Sequence, residues 1–212
     1  ELLDNSSLNN FVAILTAYCQ LKKPGSKINN IKEEFEIQCF ALGKGLFNPE
    51  NFLYFDSNLF SRMAELSILL DKPDWCREFI NKYKKRLSPV NRKIRTQIAE
   101  IYLQNHLKNY DNALEILSKA KPENVIENFK IRSIELMIFF SLKDYERVYA
   151  LVKNFRSYLE YDGKVSELTY KVYAEFLNLT KKLADISVKN YKANDLKNEL
   201  DQIIVNFDKV KI

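Results

Sequence analysis

Glycine, proline, cysteine and histidine are all scarce in this sequence. Its 212 residues include 4 Gly, 5 Pro, 3 Cys and 1 His. So few Gly and Pro residues exclude collagen-like, low-complexity and turn-rich all-β proteins, and three Cys residues do not make a disulfide framework. Hydrophobic residues make up 46% of the chain, which is too many for a disordered protein. These observations leave a globular protein with a sizeable core.

Long hydrophobic runs are also missing. The longest, such as 12–15 and 137–140, are far shorter than the roughly 20 apolar residues that a membrane-spanning helix needs. The sequence therefore predicts no transmembrane helix. Unpaired cysteines favour a reducing compartment, so we expect a cytoplasmic protein. Because the chain starts at Glu1 without Met, we also expect a processed form or a part of a longer protein.

Residues that carry catalysis are rare as well. His106 is the only histidine, so no histidine pair can form, and we expect it to be a solvated or helix-terminal residue. Cys19, Cys39 and Cys76 have no CxxC spacing, and we expect them on three different helices as small core residues. The sequence therefore predicts a protein that is not an enzyme and that needs no cofactor or metal.

Helical periodicity is what the sequence has in abundance. Nearly every segment between breaks such as Pro24-Gly25, Pro73 and Pro89 follows a helical period, and strict alternation never lasts long enough for a strand. We predict about ten helices in an all-α protein with one domain, 1–212. Short connections predict that successive helices pack as antiparallel neighbours.

An internal repeat of 35 residues organises the middle of the chain. An acidic residue and an aromatic residue each recur twice at this spacing: Glu65, Glu100 and Glu135, and Trp75, Tyr110 and Tyr145. A residue typical of helix N-caps precedes each aromatic: Asp74, Asn109 and Asp144. We interpret each repeat as two helices joined by a tight turn, the second starting at the aromatic residue. In each first helix an Arg or Gln three residues before the Glu predicts a side-chain pair: Arg62, Gln97 and Arg132.

The second helix of the middle repeat resembles the tetratricopeptide repeat (TPR) family. The resemblance is clearest in Tyr110-Asp111-Asn112-Ala113, the family's aromatic-x-x-small pattern, and Pro122 falls near its inter-unit proline. It covers 57–160 as three repeats and implies a right-handed TPR-like superhelix of antiparallel helix–turn–helix repeats. In the first repeat, Glu78 stands where the family has a small residue. We expect 1–50 and 161–212 to form degenerate or capping helix pairs, with the last helix near 195–209.

The resemblance also implies a groove lined by the first helix of each repeat. Transferring the family's register gives ten groove positions: Phe60, Met63, Ser67, Arg95, Ala99, Tyr102, Asn105, Lys130, Ser133 and Met137. Such a lining would suit an extended or helical peptide that carries some acid. Within this groove we predict partner contacts at Arg95, Tyr102, Lys130 and Met137.

Positive charge is concentrated in one segment. Between Lys82 and Arg95 there are seven basic residues and no acidic one, although the whole chain has a formal charge of only +5. Lysine and arginine at the end of a helix offset its dipole, but at the start of the next helix they do not. We therefore consider the run a candidate partner surface. Its candidate residues are Lys84, Lys85, Arg86, Arg92, Lys93 and Arg95.

Three functions are consistent with these features. The first is a non-catalytic helical-repeat scaffold that binds a protein or peptide, and an acidic partner would fit the basic residues. The second is a nucleic-acid-binding or regulatory accessory protein that uses the segment 82–95, although Tyr83 is the only aromatic residue there that could stack on a base. The third is the sensor or oligomerisation half of a larger regulator.

Overall fold

The predicted helices are present throughout the part of the chain that the structure describes. This computed structural model describes residues 4–21, 27–47, 53–161 and 165–189, and nine α-helices account for most of them. Their bounds are α1 Asn5–Leu21, α2 Lys27–Gly43, α3 Ser57–Leu69, α4 Pro73–Tyr83, α5 Pro89–His106, α6 Tyr110–Lys119, α7 Val125–Ser141, α8 Tyr145–Tyr161 and α9 Glu167–Val188. A short 3-10 helix, Lys84–Arg86, follows α4. The helix predicted near 195–209 lies outside the described residues.

The helices pack mainly against their neighbours in sequence. The chain divides into two compact units, Glu1–Lys121 and Pro122–Ile212. In the first, α1 packs on α2, α2 on α3, and α5 on α6, while α3, α4 and α5 contact one another. In the second, α8 packs on both α7 and α9. This arrangement of sequential pairs confirms the all-α prediction, whereas the single domain over 1–212 stays a prediction.

The same backbone turn joins the helices of the three pairs α3–α4, α5–α6 and α7–α8. After α3, the Asp71 N–H donates to the Ile68 carbonyl (3.0 Å) and the Lys72 N–H donates to the Ser67 carbonyl (2.8 Å). Bonds with the same offsets recur after α5 and α7, with lengths of 2.9–3.0 Å: Lys108 to Asn105, Asn109 to Gln104, Lys143 to Phe140 and Asp144 to Phe139. This is the Schellman ending, which needs a left-handed residue just past the helix. Asp71, Lys108 and Lys143 supply it, with φ of 55°, 60° and 60°.

This shared turn corrects the alignment of the first repeat. Counted from the turn, the second helices begin at Pro73, Tyr110 and Tyr145. Aligning Trp75 with Tyr110 and Tyr145 was therefore wrong by two residues, and Asp74 lies inside the first turn of α4 instead of capping it. Counted from these starts, the fourth residues of the three helices are Cys76, Ala113 and Val148, and all three are fully buried. Glu78 does not occupy that position.

Pro73 explains the two-residue shift. A proline disfavours helical backbone at the residue before it and is well suited to the first position of a helix. Lys72 accordingly has φ −118° and ψ 59°, and α4 starts at Pro73. The first helices keep the 35-residue register, since Leu66, Ile101 and Leu136 are all fully buried. In that register α3 ends two residues earlier than α5 and α7 do, so the shift lies in the last turn of α3 and the connection itself is unchanged.

Side-chain caps mark several other helix starts. Asp56, the N-cap of α3, accepts a hydrogen bond from the Leu59 N–H at 2.6 Å. Asp144 accepts one from the Arg147 N–H at 3.2 Å, so the predicted cap of α8 is confirmed. Asn109 occupies the cap position of α6, but its side-chain amide donates to Gln104 Oε1 (3.1 Å).

Each compact unit has its own aromatic core. In the first unit, Phe60 of α3 stacks on Phe79 of α4 with ring centroids 5.4 Å apart, and Phe55 lies 4.7 Å from the Tyr83 ring. In the second, Phe129 of α7 lies within 6 Å of three rings on α8 and α9: Phe155, Tyr158 and Tyr173. Phe60 and Phe129 are both fully buried, so each is a central packing residue of its unit.

Candidate functional site

The basic run occupies the connection between α4 and α5. Lys82 lies in the last turn of α4, the Lys84–Arg86 segment forms the 3-10 helix, and Arg92 and Lys93 lie near the start of α5. The first turn of α5 contains no acidic residue. Because backbone N–H groups at a helix start are themselves partially positive, the side chains and the helix end add to the same positive potential.

Two arginines of the run are held by the protein itself. Arg86 donates through Nη2 to the Phe47 carbonyl, and its guanidinium lies 5.8 Å from the Phe55 ring centroid and 5.9 Å from that of Tyr83. Arg92 donates through Nη2 to the Leu87 carbonyl at 2.9 Å. These contacts brace the α4–α5 connection, so both predicted binding residues have a structural role.

The lysines of the run are more accessible. Lys82, Lys85 and Lys93 are exposed, and Lys82 Nζ lies 5.3 Å from the centroid of the Tyr83 ring. Lys84 is half-buried and donates to Asn81 Oδ1 at 3.0 Å. The cationic surface that a partner can reach therefore consists of Lys82, Lys85 and Lys93, which we call the lysine surface.

The α3 part of the predicted groove is wrong. Phe60, Met63 and Ser67 are completely buried, as is nearly all of Ala99 on α5. Their burial follows from the packing of α3, which contacts α2, α4 and α5. With neighbours on three sides, α3 presents these side chains to the core of the first unit instead of to a groove.

The four groove residues predicted to contact a partner lie in both units. Arg95 is half-buried on α5, where its Nη1 donates to Ser61 Oγ on α3 at 3.4 Å, and Tyr102 is half-buried on the same helix. On α7 of the second unit, Lys130 is half-buried and Met137 is 37% exposed. A common surface for these four residues stays a prediction.

A polar network around the buried carboxylate of Glu34 in the first unit has no counterpart in the sequence predictions. Glu34 of α2 is only 2% exposed, and its two oxygens accept from Arg62 of α3 at 3.0 and 2.7 Å. Gln20 of α1 donates to the same carboxylate at 2.8 Å. The network's members are 14 and 28 residues apart in sequence. The prediction that successive helices pack as neighbours brings α1, α2 and α3 together, but it does not specify which of their side chains meet.

The network also holds the predicted pair of Arg62 with Glu65. Arg62 Nη1 lies 3.3 Å from Glu65 Oε2. Burial lowers the pKa of Arg62, but the hydrogen bond to Glu34 and the two negative charges outweigh it, so that the pKa is raised overall. On α7, Arg132 instead donates to Asn128 Oδ1 at 2.8 Å and lies over the Tyr158 ring. A role in packing accounts for both arginines.

Two pockets open in the first unit. One, of about 240 Å³, lies between α2 and α4 and is lined by Cys39, Trp75 and the lysine-surface residue Lys82, among others. The other, of about 360 Å³, lies among α1, α2 and α3 and includes Val12, Gln38 and Leu59. Both have walls that are more apolar than polar. The first also contains the Cys39 thiol and the Glu78 carboxylate, but burial raises the pKa of that thiol and so disfavours the nucleophilic thiolate.

Titratable groups that could support chemistry are dispersed. Across the described residues, no group of three or more His, Cys, Asp and Glu side chains is placed to hold a metal ion. His106 is the last residue of α5, as predicted, and its Nε2 lies 2.9 Å from Asp71 Oδ1. Cys19, Cys39 and Cys76 lie on α1, α2 and α4, as predicted, and burial raises the thiol pKa of Cys39 and Cys76.

Comparison with protein-family models, curated proteins and solved structures gives no match for this chain. In the segments that the structure describes, no helix has both the length and the apolar character that crossing a membrane requires. The arrangement of side chains is therefore the basis for proposing a function.

Proposed function

We propose that this chain is a non-catalytic, TPR-like helical-repeat scaffold that binds a protein partner through an acidic segment of that partner. Support for a repeat scaffold comes from the three helix pairs with one shared turn and from the buried small residues Cys76 and Ala113 at the family's position. In the first unit, α5 contacts both helices of the preceding pair, as stacked repeats do. The right-handed superhelix that the resemblance implies stays part of the proposal.

The lysine surface is the observation that carries the binding proposal. Its three side chains are exposed at one connection, and the sequence from Lys82 to Arg95 has no acidic residue. The nearest acidic residue on α4 is Glu78, one turn before Lys82, so the positive charge of the three lysines exceeds the negative charge beside them. Arg86 and Arg92 are meanwhile bound to backbone carbonyls, which holds the connection in place. A surface of one charge sign favours and steers partners of the opposite sign.

Nucleic acid is the second candidate partner, and one observation disfavours it. Binding of single-stranded nucleic acid combines phosphate contacts with stacking of bases on accessible aromatic rings. Tyr83 is the only aromatic residue between Lys82 and Arg95, and it is only 9% exposed. The lysine surface therefore offers charge without a stacking ring, which fits carboxylates of a protein better than bases.

Reversing the charge of the lysine surface is expected to abolish partner capture. The test variant is Lys82→Glu/Lys85→Glu/Lys93→Glu, and the matched control reverses three exposed lysines of the second unit, Lys153, Lys181 and Lys182. We expect crosslinking in the native cells to enrich a protein with an acidic segment on the wild type and on the control variant but not on the test variant. The proposal is contradicted if no protein is enriched, or if the test variant captures the same partners as the wild type.

Two further arms separate the alternatives. Arg95→Glu and Lys130→Glu test the groove version, in which these substitutions reduce capture and the lysine-surface variant does not. Titration of a fluorescent single-stranded oligonucleotide at low salt tests the nucleic-acid version. That version requires binding that weakens steeply as salt rises. The scaffold proposal instead predicts that the wild type binds the oligonucleotide no better than the lysine-surface variant does.

A further inference from the structure

Helix α1 carries no charged side chain. None of its 17 residues, from Asn5 to Leu21, is Asp, Glu, Lys, Arg or His, although 29% of the whole chain is charged. The helix is nevertheless largely exposed outside its contact with α2. Depletion of charge with retention of aromatic side chains is typical of the core of a protein interface.

The exposed apolar residues of α1 form one stripe. Phe11, Ile14, Tyr18 and Leu21 are 50%, 66%, 59% and 82% exposed, while Val12 is buried. The spacing of three, four and three residues is the a/d spacing of a coiled-coil seam. Successive residues of a helix are rotated by about 100°, so these four side chains fall within a narrow sector of the helix surface. That sector points away from the buried Val12. The sequence predictions do not include this stripe, although the lack of charge over 5–21 is a visible signal of it.

The stripe is complementary to itself when two copies of α1 pack antiparallel. If two copies of α1 pack antiparallel about a two-fold axis level with Thr16, Phe11 lies opposite Leu21 of the second copy and Ile14 lies opposite its Tyr18. Every layer then pairs one aromatic with one aliphatic side chain, so the layers are of similar volume. An interface around a two-fold axis needs this self-complementarity, and an uncharged helix brings no like charges together.

The exposed area is sufficient for such an interface. The four large side chains of the stripe are each at least half exposed, so together they offer an accessible surface on the order of 500 Å² per chain. A dimer would bury about 1,000 Å² of it, which is in the lower range for a specific interface. From the spacing, the neutrality and the area, we infer that the stripe docks a second copy of this chain, with the two α1 helices antiparallel. This inference is independent of the lysine surface.

Sedimentation equilibrium or light scattering of the full chain tests the inference. The wild type is expected to reach twice the 25.0 kDa chain mass at concentrations on the order of 10 µM, as befits a small interface. Ile14→Glu and Tyr18→Lys should each weaken the dimer about tenfold or more, because each buries a charge without a partner. A mixture of the two variants should restore it, since the carboxylate introduced in one chain then faces the ammonium group introduced in the other.

A control variant and two further measurements test for misfolding and for a partner other than a second copy. Ser6→Glu, exposed on another face of α1, should leave the dimer intact, and far-UV circular dichroism should be the same for all variants. A monomeric wild type at concentrations of about 100 µM, well above those a small interface requires, overturns the inference and leaves the stripe to a different partner. A dimer that survives Ile14→Glu overturns it as well, and so does a mixture of the variants that stays monomeric.

Discussion

Replacing Phe129 by alanine is expected to lower the free energy of unfolding of the second unit by about 3–5 kcal/mol. Phe129 is fully buried, and its ring centroid lies 4.7 Å from that of Tyr173 and 5.4 Å from that of Phe155. Deleting the ring removes contacts with both α8 and α9 and leaves a cavity that those aromatic neighbours can fill only in part. Urea denaturation followed by circular dichroism measures the loss.

An exposed residue of the same unit provides the control. Leu168 on α9 is 69% exposed, so Leu168→Ala should change the free energy of unfolding by less than about 0.5 kcal/mol. If Phe129→Ala cost no more than Leu168→Ala, the aromatic core described for the second unit would be wrong.

Replacing Glu34 by alanine should destabilise the first unit by about 2–3 kcal/mol, somewhat less than the loss of one partner of a fully buried ion pair. Removing one partner of a buried ion pair typically costs about 3–5 kcal/mol, but the side chain of Arg62 is 35% exposed and water compensates in part. The variant leaves Arg62 and Gln20 without the carboxylate that joins α1, α2 and α3. Chemical denaturation of Glu34→Ala, Arg62→Ala and the double variant gives the coupling between the two residues.

Glu36 provides the matched control on the same helix. Its carboxylate lies 3.8 Å from Lys32 Nζ, and both side chains are more than half exposed. Exposed pairs of this kind contribute about 0–1 kcal/mol, so Glu36→Ala should have a small effect. Equal losses for Glu34→Ala and Glu36→Ala, or additive single and double variants, would show that the buried pair is not formed.

The helices could be predicted from the sequence because local signals determine them. Asp56 caps α3, and Pro89 occupies the first position of α5. The two-residue shift at Pro73 could not be predicted from a constant period. Two competing preferences meet there, a 35-residue aromatic spacing and a proline that suits the first position of a helix, and the proline determines the helix start. Only the turn hydrogen bonds of Asp71 and Lys72 reveal which preference prevails.

The candidate site was predictable in its charge but not in its accessibility. The sequence identifies the run from Lys82 to Arg95, yet it does not distinguish Arg92, bound to the Leu87 carbonyl, from the exposed Lys93 beside it. That distinction depends on how the chain turns between α4 and α5. Burial of Phe60 and Met63 likewise depends on how α2, α4 and α5 pack around α3, an arrangement that no local pattern contains.

The shared turn defines the three helix pairs, and glycine substitution tests it most directly. Lys108 and Lys143 have φ of 60°, a left-handed conformation that costs an L-residue about 1–2 kcal/mol and glycine almost nothing. Lys108→Gly and Lys143→Gly should therefore each raise the free energy of unfolding by about 0.5–1 kcal/mol. Lys153→Gly, in the middle of α8, should lower it by about 1 kcal/mol. If all three variants lost stability alike, the repeated turn would be contradicted.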